Sequence, residues 1–63
     1  DLTNAIFKDA VATSTIFEGA TITGADFTDA ILDRYQIYLM CQRAEGTNPV
    51  TGVETRYSLG CRD

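Results

Sequence analysis

The ten residues Ala20-Thr21-Ile22-Thr23-Gly24-Ala25-Asp26-Phe27-Thr28-Asp29 state one five-residue pattern twice: a small residue, a variable one, a large apolar one, then two small or polar ones. The frame extends in both directions. Ala stands at 5, 10, 20, 25 and 30, with Thr15 filling the one gap. Two residues after each comes Phe7, Ala12, Phe17, Ile22, Phe27 or Leu32, and Leu2 opens the series. All three Phe and five of the seven Ala fall in this single register. A period of five suits neither regular element. On an α-helix, steps of five advance by about 140° and smear the apolar residues around the cylinder. On a flat strand an odd step sends alternate residues to opposite faces. Both conflicts vanish if the chain turns a corner every five residues, so that Ala and the large residue always face the axis of a coil.

Composition narrows the possibilities. The chain has 63 residues, a net charge of −4, two Cys, one Pro, and neither His nor Trp. A domain this small buries only about 60% of its unfolded surface, so it needs a staple or a partner. A hydrophobic content of 44% speaks against wholesale disorder. No apolar run approaches the ~18 residues of a membrane span, and no charged-apolar-small leader opens the chain, so any targeting segment is expected to be gone or absent. Nine acidic residues outweigh five basic ones, which argues against a nucleic-acid backbone as partner. Without His, the commonest acid–base and metal-binding side chain is missing.

The units Ala25-Asp26-Phe27-Thr28-Asp29 and Ala20-Thr21-Ile22-Thr23-Gly24 resemble those of the pentapeptide-repeat family: Ala, then Asp or Asn, then Leu or Phe, then two variable residues. The resemblance covers residues 1–34 over seven successive units. It implies a β-solenoid, a right-handed quadrilateral β-helix with four units and hence 20 residues per coil. Residue n then lies over n+20, about 4.8 Å away. Phe7 stacks on Phe27, Leu2 on Ile22, Ala12 on Leu32, Thr3 on Thr23 and Lys8 on Thr28. Seven units make fewer than two coils, and solenoids need several stacked units. The chain also opens inside a unit, so it is expected to be the last two coils of a longer repeat protein, with upstream coils cleaved, absent or replaced by a partner.

The frame stops at Tyr35, too large for a corner. Residues 35–63 read as a helical and loop cap. Asp33 is the expected N-cap, with Gln36 three residues later as in a capping box. Ile37, Met40, Cys41 and Ala44 form an apolar stripe, and Gly46 is the expected stop. Residues 47–52 are turn material, and a second short helix is expected between Thr55 and Gly60. The segment is expected to lie over the open end of the solenoid, hiding apolar side chains and strand edges that invite aggregation. Cys41 and Cys61 are too few for a structural zinc site and are not spaced as a redox C-x-x-C. Two buried thiols or one disulfide remain. The turn-rich segment between them has little core of its own, which favours the disulfide; closing such a loop contributes roughly 3 kcal/mol.

The run Cys41-Gln42-Arg43-Ala44-Glu45-Gly46-Thr47-Asn48-Pro49-Val50-Thr51-Gly52, with Thr55-Arg56 and Ser58-Leu59-Gly60-Cys61, is similar to the C-terminal signature of thylakoid-lumen pentapeptide-repeat proteins of plants, algae and cyanobacteria. That resemblance implies short terminal helices joined by a disulfide, an oxidising compartment and a place in the thylakoid lumen. It names a location rather than an activity.

Little catalytic chemistry is legible. Ser14, Ser58 and the threonines have no His to activate them. Gly19 and Gly24 are corner positions, not a phosphate-cradling loop. Stacking brings Asp9 over Asp29 on the outer face about 5 Å apart, a spacing compatible with a retaining hydrolase or a cation, yet two solvated charges on a convex face explain it better. Arg43 and Arg56 are expected to bond loose carbonyls of the cap, and Tyr35 and Tyr38 to wedge the cap onto the core. The position between Ala and the large residue departs from the family's Asp or Asn. It carries Ile6, Val11, Ile16 and Ile31, with only Asp1, Thr21 and Asp26 polar. These four apolar residues are the candidate partner surface, with Val11 beside Ile31.

No catalytic, cofactor-binding or metal-binding residue is assigned, and no cofactor is expected. The leading reading is a non-enzymatic lumenal scaffold or auxiliary protein, peripheral to the membrane at most. It binds another protein, a lumen-facing part of a photosystem or related complex being the candidate. The alternative is an acidic, DNA-mimicking pentapeptide protein that inhibits a topoisomerase. The cap signature, the apolar outer strip and the short rod speak against it. An enzyme reading rests on Asp9 and Asp29 alone.

Overall fold

The computed structural model describes residues 1–13 and 16–61; the expectations placed on Ser14 and Thr15 lie outside the described residues. Five of the five-residue units among the described residues are built around a tight turn. The N–H of Ala5, Ala10, Ala20, Ala25 and Ala30 donates to the carbonyl of the large residue three before it, at 3.0 Å each time. The residue just before each Ala is left-handed: Asn4 (φ 63°), Asp9 (63°), Gly19 (78°), Gly24 (74°) and Asp29 (58°). A positive φ at the third turn residue marks a type II turn, and Gly, Asn and Asp are the residues that tolerate it. Asp9 and Asp29 are therefore corner residues by backbone conformation. Both are exposed, and their stacking follows from that shared corner role rather than from any catalytic pairing.

The corners make the chain climb on itself with a 20-residue period. Strand β1 (Val11–Ala12) pairs in parallel with β2 (Ile31–Leu32), Val11 opposite Ile31 and Ala12 opposite Leu32. A lone parallel bridge joins Ile6 to Asp26. Between the coils, Leu2, Asn4, Phe7 and Asp9 donate their N–H to the carbonyls of Thr21, Thr23, Asp26 and Thr28 at 2.8–2.9 Å. Asp26 and Ile31 donate back to Ala5 and Ala10. Regular sheet is sparse because the turn consumes most of every unit and leaves only two extended residues per side.

Inside the coil, the Phe7 and Phe27 rings stack at 5.2 Å and 2°, and Phe17 meets both edge-on at 6.3 and 6.0 Å. Ile22, Ala25, Phe27 and Met40 are almost fully buried, with Phe17, Ala44 and Leu59 close behind. Leu2, Phe7, Ala12, Ala20, Ala30 and Leu32 pack against them half-buried. The five-residue frame thus places the large residues and Ala20, Ala25 and Ala30 inward as expected, while Ala5 and Ala10 are half-buried outside this cluster. Ala44, Met40 and Leu59 belong to the segment after the repeats, which joins this core rather than forming one of its own.

Helix α1 spans Arg34–Cys41 and α2 spans Thr55–Leu59. The Asp33 carboxylate accepts from the N–H of Tyr35 and Gln36, as an N-cap should. Gln36 does not complete a capping box; its side chain points to the solenoid instead. The helix ends at Cys41 and not near Gly46, because Gln42 and Arg43 turn back onto Leu39 and Met40. The Glu45 carbonyl is by then committed to the N–H of Gly24 at 2.9 Å. Tyr35 and Tyr38 are exposed and wedge nothing; Met40 fills that place. Gly60 closes α2 in a left-handed conformation (φ 75°), and Cys41 is bonded to Cys61, with the Cα atoms 5.7 Å apart.

Candidate functional site

Two features of the surface invite a functional reading: the edge of the last coil, and the apolar outer strip. The edge comes first because the sequence hid it. A last coil ends in backbone groups with no next coil to meet them, which is costly when buried and adhesive when exposed. Here side chains take the places of missing backbone atoms. The inter-coil donors find acceptors 19 residues on; for Phe17 that acceptor would be the carbonyl of residue 36. The Gln36 side-chain oxygen accepts from Phe17 N–H instead, at 3.0 Å. Return bonds reach Ala5 and Ala10 from 21 residues on, so the Ala20 carbonyl would await residue 41, whose N–H is spent inside α1. Arg43 Nε donates to it at 2.8 Å, while the same guanidinium bonds Phe17 O and, at 3.3 Å, Leu39 O.

The substitution continues around the coil. Ser58 Oγ accepts from Phe27 N–H at 3.0 Å and donates to Thr55 O. Asn48 Nδ2 donates to Gly24 O at 2.9 Å and to Asn4 O at 3.1 Å, so this segment bonds both coils at one corner. The backbones of Gly24 and Gly46 meet there so closely that a Cβ on Gly46 would lie 3.1 Å from Gly24 N, and a Cβ on Gly24 would collide with the Asn4 side-chain oxygen. Arg43 binds carbonyls as expected, but two of its three, Phe17 O and Ala20 O, belong to the coil rather than to the segment after it; Arg56 bonds Cys41 O at 2.7 Å. Gln36, Asn48 and Ser58 were missed. The available signal was spacing: an amide 19 residues past Phe17 can imitate a peptide group.

The same segment corrects one expectation about the outer positions. Asp26 occupies the position where the family's Asp or Asn points outward, yet it is 1% exposed, while Ile6 directly above it is 48% exposed. Thr28 donates both N–H and hydroxyl to the Asp26 carboxylate, and the Thr51 hydroxyl also bonds it. Burial alone would push this carboxyl up. The two bonds from Thr28, the bond from Thr51 and the charge of Lys8 outweigh that and hold it below the ordinary carboxylate range. A depressed folded-state value stabilises the fold above the unfolded value, about 3.9, and the benefit is lost as pH falls through the folded value. Urea unfolding followed from neutral pH to below pH 4 is expected to show stability dropping at the acid end. Asp26→Asn is expected to weaken the protein at neutral pH and to flatten that acid limb; an unchanged limb would remove Asp26 as its cause.

The four residues of the candidate partner surface are exposed: Ile6, Val11 at 72%, Ile16 at 74%, and Ile31 at 56%. Register brings Val11 and Ile31 together. Ile6 sits one unit before Val11 and Ile16 one unit after, around the next corners, and Ile6 has polar Asp26 rather than an apolar residue as its neighbour below. The strip is therefore an apolar pair with outliers. Among the described residues no group of three His, Cys, Asp or Glu could hold a metal ion, and no helix is long and apolar enough to cross a membrane.

Comparison with known proteins agrees with this geometry. A family model described as pentapeptide repeats matches residues 1–34 in 8 copies. Over 43 residues, 68% of this chain, the sequence is 60% identical to the chloroplastic thylakoid lumenal protein TL20.3 of Arabidopsis thaliana. Over 48 residues, 76% of this chain, it is 48% identical to the chloroplastic thylakoid lumenal 15 kDa protein 1 of the same plant. The chain spans only 15% and 21% of these two relatives. It also superposes, with a TM-score of 0.88 and 44% identity, on the 1.7 Å crystal structure of a pentapeptide repeat protein from the Arabidopsis thaliana thylakoid lumen, covering 97% of this chain and 43% of that one.

Proposed function

The chain belongs to the pentapeptide-repeat family and to the thylakoid lumen of the chloroplast, and from that premise we propose that it is a non-enzymatic scaffold or auxiliary module that binds another protein. The proposal includes the finer architecture: a right-handed, four-sided coil over residues 1–34, closed by a helical cap over 35–63. The observation that carries the binding reading is the register pair Val11 and Ile31, both more than half exposed on one side of the coil. Water-facing Ile and Val give good strand propensity, but propensity alone does not stack them on one side where the family carries Asp or Asn. Contiguous apolar surface of this kind marks contact sites. A lumen-facing part of a photosystem or related complex fits the location, with the module peripheral to the membrane. The net charge of −4 makes a nucleic-acid partner unfavourable.

The test is a double substitution, Val11→Asp with Ile31→Asp, in the full-length protein. Both side chains face water, so each change is expected to cost within about 0.5 kcal/mol, as surface substitutions do. Unfolding curves are expected to overlay the parent's, while co-purification of the native partner from solubilised thylakoid membranes is lost. Recovery of the same partner by the double mutant would move the interface off this side.

A further inference from the structure

The disulfide has a role open to it beyond stapling, and the seating of α2 is what suggests it. This helix is five residues long, too short to persist without packing. No side chain caps its start. The Thr55 hydroxyl is buried there with no hydrogen-bond partner among the described residues, which works against the seated position. Leu59 in the core, the Ser58 hydroxyl on Phe27 N–H, the Thr55 N–H on Gly46 O and the Arg56 guanidinium on Cys41 O hold it, together with the covalent tie. The coils, by contrast, carry their own backbone bonds and do not depend on α2 for them.

The tie itself is reachable. Neither Cys41 nor Cys61 is fully buried. Two open depressions flank the bond, one lined by Tyr38, Cys41, Gln42 and Arg56, the other by Glu54, Arg56, Tyr57 and Cys61. Arg56 lines both. A guanidinium beside a disulfide favours the thiolate that must leave when the bond is attacked, and accessible disulfides are the labile ones. We infer that the Cys41–Cys61 disulfide is an exchange site for an external dithiol, and that its reduction unlatches α2 from the last coil. In the step, a thiolate of the dithiol attacks one sulfur and forms a mixed disulfide; the other cysteine leaves as a thiolate and takes a proton. The second thiol of the reagent then displaces the first cysteine. The protein gains two electrons and two protons, and the dithiol becomes a disulfide. What is uncovered is the edge at Phe27, whose N–H is met by Ser58 of α2.

The experiment uses the oxidised full-length protein in native buffer with excess dithiothreitol. Alkylation and mass measurement follow the thiols, and hydrogen exchange follows the amides. Both thiols are expected to appear while the N–H groups of Phe7, Asp9 and Ile31 stay protected, and the N–H groups of Phe27 and Ser58 are expected to exchange about tenfold faster or more. Arg56→Gln is expected to slow the reduction several-fold and Arg56→Lys to restore it. Cys61→Ser, which breaks the tie without any reductant, is expected to give the same exchange pattern. The inference fails if the disulfide yields only when the coil amides also exchange, or if the bond is reduced and Phe27 and Ser58 stay protected.

Discussion

Phe27→Ala is expected to lower the unfolding free energy by about 3–5 kcal/mol, the usual cost of truncating a buried Phe. The ring is 1% exposed, stacked on Phe7 and met edge-on by Phe17, so its loss breaks the aromatic column that joins the two coils. A small domain has little more stability than that to lose, and the variant is expected to show a collapsed urea midpoint. The control is Thr21→Ala, at an exposed outward position, which is expected to stay within about 0.5 kcal/mol. Thr28, the neighbour a simple inside-outside alternation would choose, is no control: its hydroxyl serves the buried Asp26. Equal losses at 27 and 21 would overturn the five-residue frame.

Arg43→Ala is expected to cost about 2–4 kcal/mol, because one guanidinium satisfies three carbonyls and each bond to a charged group contributes roughly 1.5–3 kcal/mol before relaxation and water recover part of it. Two of those carbonyls, Phe17 O and Ala20 O, belong to the last coil, and the third, Leu39 O, to α1. The residue thus ties the repeats to α1 at one point. Arg43→Lys keeps the charge but lacks the planar fork that reaches three acceptors at once, so it is expected to recover only a minor part. Thermal unfolding of the three proteins decides this; full rescue by Lys would show that charge, not geometry, is what the site needs.

Much of this was legible in the chain. The five-residue period, the inward Ala and Phe, the 20-residue stacking of Val11 on Ile31, the Asp33 cap and the short second helix all follow from local rules about which side chains fit a corner, a core or a helix start. Other features resisted for an identifiable reason. Asp9 and Asp29 suggested a carboxylate pair because a left-handed φ is invisible in a list of side chains, although Asp is one of the few residues that tolerates it. Tyr35 and Tyr38 suggested a wedge because aromatics at helical spacing usually pack; the pose of α1 turned Met40 inward instead.

The coil was legible locally, because a repeat writes its geometry once per unit and the copies agree but for Thr15 and Ala12; no distant contact is needed to know where Phe27 points. The sequence also determined that something must close the end, since Tyr35 cannot occupy a corner. Which groups meet the edge of the last coil was legible only in the folded arrangement. Gln36 and Arg43 stand in for the backbone of an absent coil, Asn48 spans Asn4 and Gly24, and Ser58 serves Phe27 across 31 residues. Each depends on where two separately folded pieces come to rest. A side-chain amide, guanidinium or hydroxyl has no period to betray it, and its partner is chosen by the three-dimensional position of an unsatisfied N–H or C=O.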